Sequence, residues 1–189
     1  MEDAKNGKRE VFFVDAAHFV WQGFIGFLWC FARVWFGSPT GRQRFNVLGA
    51  LNAVTHEVIT VCNTTYINTE SVWELLFKLR ERFLSTGIPI SIVLDNAAYQ
   101  RNYRVERLAH LMGIELIFMP PYSPNLNLIE RLWKFVKGQC LYAKEYKSFQ
   151  EFHETIQQTI EAAHLTHKSE LESLLTWSFQ SFHGLKKAA

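Results

Sequence analysis

Cysteine is scarce in this chain. Cys30, Cys62 and Cys140 are three in number, far apart, and none stands in a CxxC pair. An odd, scattered set excludes a zinc ribbon and a disulfide framework and agrees with a reducing, intracellular setting. Proline is sparse, five residues in all, and three of them crowd between Pro120 and Pro124. No repeat or low-complexity tract breaks the sequence, which excludes a solenoid or a long linker. Net charge is nearly absent, +2 over 189 residues. Bulk charge therefore neither requires nor forbids a nucleic-acid partner, and only the placement of Lys and Arg can decide. An uninterrupted apolar run is missing too. Phe19 to Phe36 is rich in Phe and Trp, but it is short for a membrane span and carries Gln22, Gly23, Gly26 and Arg33. It reads as a buried strand with its approach loop. Residues 1–10 are charged and polar, unlike a secretory leader, and are expected to be an unstructured lead-in.

What is present describes a folded domain. The hydrophobic fraction is 48% and the charged fraction 20%, ordinary values for a chain that buries one sizeable core. Val11 to Val14 is an apolar run closing on Asp15 and reads as a buried strand. Arg44 to Asn52 and His56 to Asn63 form two more strands, joined as a hairpin around Ala53 to Thr55. Val72, Leu75, Leu76, Leu79 and Phe83 recur at helical spacing within Thr69 to Ser85, with Asn68 or Thr69 as cap and Gly87 and Pro89 beyond the end. Ile90 to Leu94 is a buried strand closing on Asp95. Tyr103 to Met112 is a short helix, and Ile114 to Phe118 a third buried strand. The prolines then impose an extended turn, followed by a helix from about Leu126 to Lys137. Ser148 with Glu151, and Ser169 with Glu172, read as capping boxes of two closing helices. This order predicts an α/β fold: a mixed sheet flanked by helices.

Two buried strands each close on an aspartate, a residue poorly suited to strands and costly to bury unless paired or metal-bound. A lone aspartate there reads first as a cap or turn residue. A third carboxylate, Glu130, opens the helix after the last strand, where by itself it would serve the helix dipole. Together the three have a more specific meaning. Strand ends of one sheet lie close, and a helix starting beside them can aim its first turn at the same point. Three converging carboxylates repel and call for cations. An oxygen-only set selects Mg²⁺, with Mn²⁺ able to substitute. Two ions about 4 Å apart clamp a phosphodiester, one at the attacking and one at the leaving oxygen.

The runs Val11-Phe12-Phe13-Val14-Asp15, Val93-Leu94-Asp95-Asn96-Ala97 and Pro120-Pro121-Tyr122-Ser123-Pro124-Asn125-Leu126-Asn127-Leu128-Ile129-Glu130 resemble the three signature blocks of DDE transposases, in the bacterial insertion-sequence members of the mariner superfamily. The 34 residues between Asp95 and Glu130 match the spacing of one subgroup. The resemblance runs from about Val11 to Phe182. It implies a ribonuclease-H-like fold with a mixed five-stranded sheet, occupying residues 11–183. It also implies a DNA transposase core with Asp15, Asp95 and Glu130 as catalytic metal ligands and two ions per site. Its chemistry would be hydrolysis at element ends and strand transfer into target DNA, often at TA. It implies a homodimer on DNA, in the bacterial cytoplasm with the nucleoid, needing no membrane and no small-molecule cofactor. Many relatives have proline two residues before the glutamate, where this chain has Leu128. Relatives also carry N-terminal helix-turn-helix modules. Only 14 residues precede Asp15, so that module is expected to be absent.

Other residues offer DNA contacts, each beside a plainer role. Glu130, Lys134 and Lys137 share a helix face, and with Arg131 the lysines are candidate phosphate contacts or members of a solvated salt-bridged face. Arg42 and Arg44 sit in a Gly/Pro loop entering a strand, a phosphate binder or simply a solvated loop. Asn96 either serves the metal site or shapes the turn. Tyr122 is a stacking candidate, as is Trp133, for which core packing is the plainer role. His18, three residues after Asp15, reads as a packed histidine more than a catalytic one. Two alternatives stay open: a different ribonuclease-H-like nuclease, and a non-catalytic DNA-binding fragment that regulates a longer protein.

Overall fold

The computed structural model describes residues 2–22, 31–33, 42–121 and 123–177. In chain order the elements are α1 (Glu2–Lys5), β1 (Glu10–Trp21), β2 (Gln43–Asn52), β3 (Val58–Asn63), α2 (Thr69–Arg82), β4 (Ile90–Leu94) and α3 (Tyr103–Leu111). They continue with β5 (Ile114–Phe118), a 3-10 turn (Pro124–Leu126), α4 (Ile129–Leu141), α5 (Phe149–Thr166) and α6 (Lys168–Leu174). The strands form one five-stranded sheet in the order β3-β2-β1-β4-β5. The β1–β2 and β2–β3 pairs are antiparallel, and the β1–β4 and β4–β5 pairs parallel. This is the mixed sheet that the order of elements predicts.

Both faces of the sheet are buried, which is why its central strands are apolar on successive residues. Val11, Phe13, Ala17 and Phe19 of β1 belong to one core, with Leu132, Trp133 and Val136 of α4, Phe152, Ile156 and Ile160 of α5, and Leu171 of α6. Phe12 and Val14 face the other core, with Val72, Leu75, Leu76 and Leu79 of α2 and Val105 and Ala109 of α3. The alternation fixes which way each strand residue points. Asp15 is in step with Phe13 and Ala17, and Asp95 with Val93, so both carboxylates point to the α4 side.

Several boundaries differ from expectation. β1 does not stop at Asp15 but runs on to Trp21, paired with β2 as far as Trp21↔Gln43. Its pairing with β4 ends at Phe13↔Val93. A run that looks like a strand end is therefore the place where one neighbour ends and the other continues. β3 begins at Val58 rather than His56, because Asn52 Oδ1 accepts from the Val54 and Thr55 amides and His56 takes a left-handed φ of 61°. α2 ends at Arg82, three residues short of the predicted Ser85. α4 starts after the separate 3-10 turn and continues past Lys137 to Leu141, since Gly138 is exposed and Cys140 still lies on the buried stripe. α6 begins at Lys168 with His167 at its cap, so Ser169 lies inside the helix and forms no box. Ser148 does cap α5, accepting from the Glu151 amide. The lead-in is not structureless: residues 2–5 form a helical turn that buries Ala4 against the core. Of Phe19 to Phe36, residues 19–21 complete β1 with Phe19 fully buried. The remainder lies almost wholly outside the described residues. No helix among those described is long and apolar enough to cross a membrane.

Candidate active site

Asp15 lies in the middle of the central strand, opposite Gly49 of β2. Asp95 is the first residue after β4, and Glu130 the second residue of α4. All three line one cavity of about 400 Å³, together with Asn96, Asn127 and the Pro120–Pro121 turn. Three separate elements thus bring the three carboxylates to the border of one cavity.

The carboxylates sense one another. Burial, then the charge of Glu130, and more weakly that of Asp95, push the Asp15 carboxyl up to about 7; the Ala16 amide draws it partly back. The Trp133 indole also favours the ionised form, although its Nε1 completes no hydrogen bond. Tyr99, close by, has its phenol raised by burial and then by Asp95 and Asp15. Among the described residues no three His, Cys, Asp or Glu side chains are drawn tightly enough together to clasp one ion as they stand. The three carboxylates border an open cavity instead. Their chemistry nevertheless fits a hard divalent cation: every carboxylate donor is oxygen, none of the three forms a salt bridge among the described residues, and Asn127, a residue of the same lining, has a buried side-chain Oδ1 without a partner.

Surrounding groups hold the aspartates and the glutamate in place. Asp95 Oδ1 accepts from the Ala97 amide at 3.1 Å. Gln100 is fully buried, and with its amide nitrogen facing Asp95 it donates to both the carboxylate Oδ1 and the backbone carbonyl of that residue. Gln100 is a buried partner of Asp95 that sequence reasoning missed; the available signal was a second amide, five positions after Asp95. Gly49 was missed as well. A Cβ there would lie 2.7 Å from the Trp133 ring and 3.2 Å from Ile129. Only glycine lets α4 pack this close to β2 and bring Glu130 beside Asp15.

The proposed DNA contacts divide. Asn96 lines the cavity, but both ends of its amide are engaged: Nδ2 donates to the Met119 carbonyl and Oδ1 accepts from Arg101, each at 2.7 Å. It joins the ends of β4 and β5. Arg131 is turned away from the cavity, donating to the carbonyls of Leu174 and Thr176 at the end of α6. It links α4 to the end of α6. Lys134 is exposed one turn beyond Glu130, and Lys137 is half-buried a turn further on. Arg42 and Arg44 are exposed at the far end of β2, Arg44 opposite Val20. Tyr122 lies outside the described residues. His18 is exposed and pairs with Asn46 at 2.7 Å, away from the cavity. Trp133 is buried in the core.

Similarity to known proteins bears on this geometry. The family model described as DDE superfamily endonuclease matches residues 35–153, a stretch that contains Asp95 and Glu130. An uncharacterized protein, y4pE/y4sA of Sinorhizobium fredii, is 29% identical over 86 residues, which are 46% of this chain and 61% of that protein. Among solved structures, the Mos1 strand transfer complex aligns with a TM-score of 0.62 at 13% identity, over 89% of this chain and 51% of its own. The Mos1 mariner paired end complex with Mn gives 0.63 at 10%, over 89% and 54%. The catalytic domain of Mos1 mariner transposase gives 0.56 at 13%, over 89% and 77%. The chain thus spans about half the length of the first two structures. The shared fold is the ribonuclease-H-like one. Because the family match spans more than half of the sequence, the chain belongs to the DDE superfamily endonucleases.

Proposed function

We propose that the chain is the catalytic core of a DNA transposase, with Asp15, Asp95 and Glu130 as the ligands of its divalent cations. The observation that carries this reading is the meeting of those three carboxylates, from β1, β4 and α4, on one cavity. Mg²⁺, or Mn²⁺ in its place, at two ions per site, would neutralise the three charges and polarise the attacking and leaving oxygens of a phosphodiester. The chain's own part is positioning. Ala97 and Gln100 fix Asp95, the close packing of Trp133 on Gly49 fixes Glu130, and the sheet fixes Asp15. Such an oxygen-ligand site transfers the phosphoryl group directly to water or to a sugar hydroxyl, with no covalent link to the enzyme.

DNA is the partner this reading requires, as element ends and as target, with TA as the target step. Lys134, Lys137, Arg42 and Arg44 are its phosphate contacts, and Tyr122 stacks on a base. The mariner complexes of the same fold are paired-end and strand transfer assemblies, which favours a dimer on DNA for this chain. The place of action is bacterial DNA in the cytoplasm. Residues 11–183 form the catalytic domain. The test is strand transfer. A labelled duplex ending in a 3′ hydroxyl should become joined to plasmid in Mn²⁺ or Mg²⁺ but not in EDTA. Cutting without joining would instead indicate a simple nuclease.

A further inference from the structure

We propose that Asn127 supplies a fourth oxygen to this site, its side-chain Oδ1 acting as a ligand of the cation held by Asp15, Asp95 and Glu130. The proposal rests on the reading of those carboxylates as a cation site. Asn127 is only 3% exposed and lines the same cavity. Its Nδ2 donates to the Val14 carbonyl at 3.1 Å. The reverse placement of the amide would set two oxygens against each other, so this bond fixes which end faces Val14. Oδ1 is then directed elsewhere, buried and without a partner among the described residues. A buried amide oxygen without a partner is a poor packing element, and its role is to accept.

Its chemistry suits the place. Three carboxylates already exceed the charge of one divalent ion, and a fourth would add repulsion. An amide adds a hard oxygen without charge. Its position suits it too. Asn127 is held to the residue before Asp15, and its own carbonyl accepts from the Glu130 amide at 3.2 Å. Asn127 therefore ties two of the three carboxylate-bearing segments together, through its side-chain amide and its own backbone carbonyl, and keeps a side-chain oxygen without a partner beside the cavity.

Mn²⁺ binding by titration calorimetry separates the oxygen from the tether. Asn127→Leu loses both; Asn127→Asp keeps the oxygen and loses the donor to Val14. The Leu variant should bind Mn²⁺ more weakly by about tenfold or more, the effect typical of losing a group that supports a metal site. The Asp variant should bind as tightly as the unaltered chain or tighter, with melting curves confirming that each is folded. Unchanged binding by the Leu variant, or equal weakening in both, would overturn the proposal. A second readout needs no folded Leu variant. In the unaltered chain carrying ¹³C-carbonyl asparagine side chains, Mn²⁺ should show a ¹³C hyperfine coupling that disappears in Asn127→Asp; its absence also rejects the assignment. Asp95→Asn runs alongside. If it leaves Mn²⁺ binding intact, the carboxylate reading itself has failed. If it abolishes binding while Asn127→Leu does not, only the role of Asn127 falls.

Discussion

Asp15 and Asp95 stand at the same level of two neighbouring parallel strands, each two residues beyond the paired Phe13 and Val93. They point to the same side of the sheet, under the start of α4, where Glu130 joins them. This arrangement has an electrostatic consequence in the metal-free protein. The Asp15 carboxyl is raised from 3.8 to about 7, chiefly by burial. Between about pH 4 and pH 7 the folded chain holds a proton that the unfolded chain has released, so stability falls as pH rises through that window. The loss amounts to at most about 4 kcal/mol. Urea melts in EDTA at pH 5 and pH 8 should show it, and Asp15→Asn should flatten the dependence. An identical slope in both proteins would mean Asp15 is not the group responsible.

Gly49 and Trp133 set the height of α4. In Gly49→Ala the new Cβ meets the indole ring at less than 3 Å, so α4 must lift. Overpacking of this kind costs about 1–3 kcal/mol, and Glu130 moves with the helix. Trp133→Leu opens room, so the double variant should be more stable than the two single losses added together. Simple additivity in denaturant titrations would show that the contact is not what positions the helix.

Gln100 acts on Asp95 through its amide. Gln100→Leu removes that donor from a fully buried position, at a cost of about 1–3 kcal/mol. DNA cleavage should slow while DNA affinity holds, because the carboxylate loses its fixed direction and no DNA contact is lost. A fall in affinity with an unchanged rate of cleavage would place Gln100 in binding instead.

Lys134 and Arg131 are close in sequence yet assigned different work. Lys134→Ala should weaken DNA binding at every sequence and lower the slope of log affinity against log salt by about 1. Arg131→Ala should leave that slope alone and lower the melting temperature, since its guanidinium holds the carbonyls of Leu174 and Thr176. Salt-dependent binding curves and melts of the two variants decide it. A reduced slope in Arg131→Ala would put that side chain on the phosphates.

Much of this was legible in the sequence, for physical reasons. Strand identity followed from apolar runs such as Ile90 to Leu94, and helix starts from caps such as Asn68 and Ser148. The three carboxylates stood out because each interrupts or borders an apolar segment. What escaped was whatever depends on partners distant in sequence. The continuation of β1 past Asp15 depends on β2, which outlasts β4 on the other side. Arg131 resembled a phosphate contact on a basic helix until α6 supplied its acceptors. Gly49 looked like any strand glycine, and its need is set by an indole ring 84 positions away. Asn127 belonged to the proline block, but its free oxygen is visible only once Val14 has claimed the other end of its amide.

The central claim, that Asp15, Asp95 and Glu130 form one cation-dependent phosphodiester site, is tested most directly by nicking of supercoiled plasmid. The purified chain and its Asp15→Asn, Asp95→Asn and Glu130→Gln variants are incubated in Mn²⁺, Mg²⁺ or EDTA. The account predicts nicking by the unaltered chain in Mn²⁺ and Mg²⁺, none in EDTA, and a loss of about a hundredfold or more in each variant. Nicking that survives in EDTA, or that proceeds equally in all three variants, would contradict it.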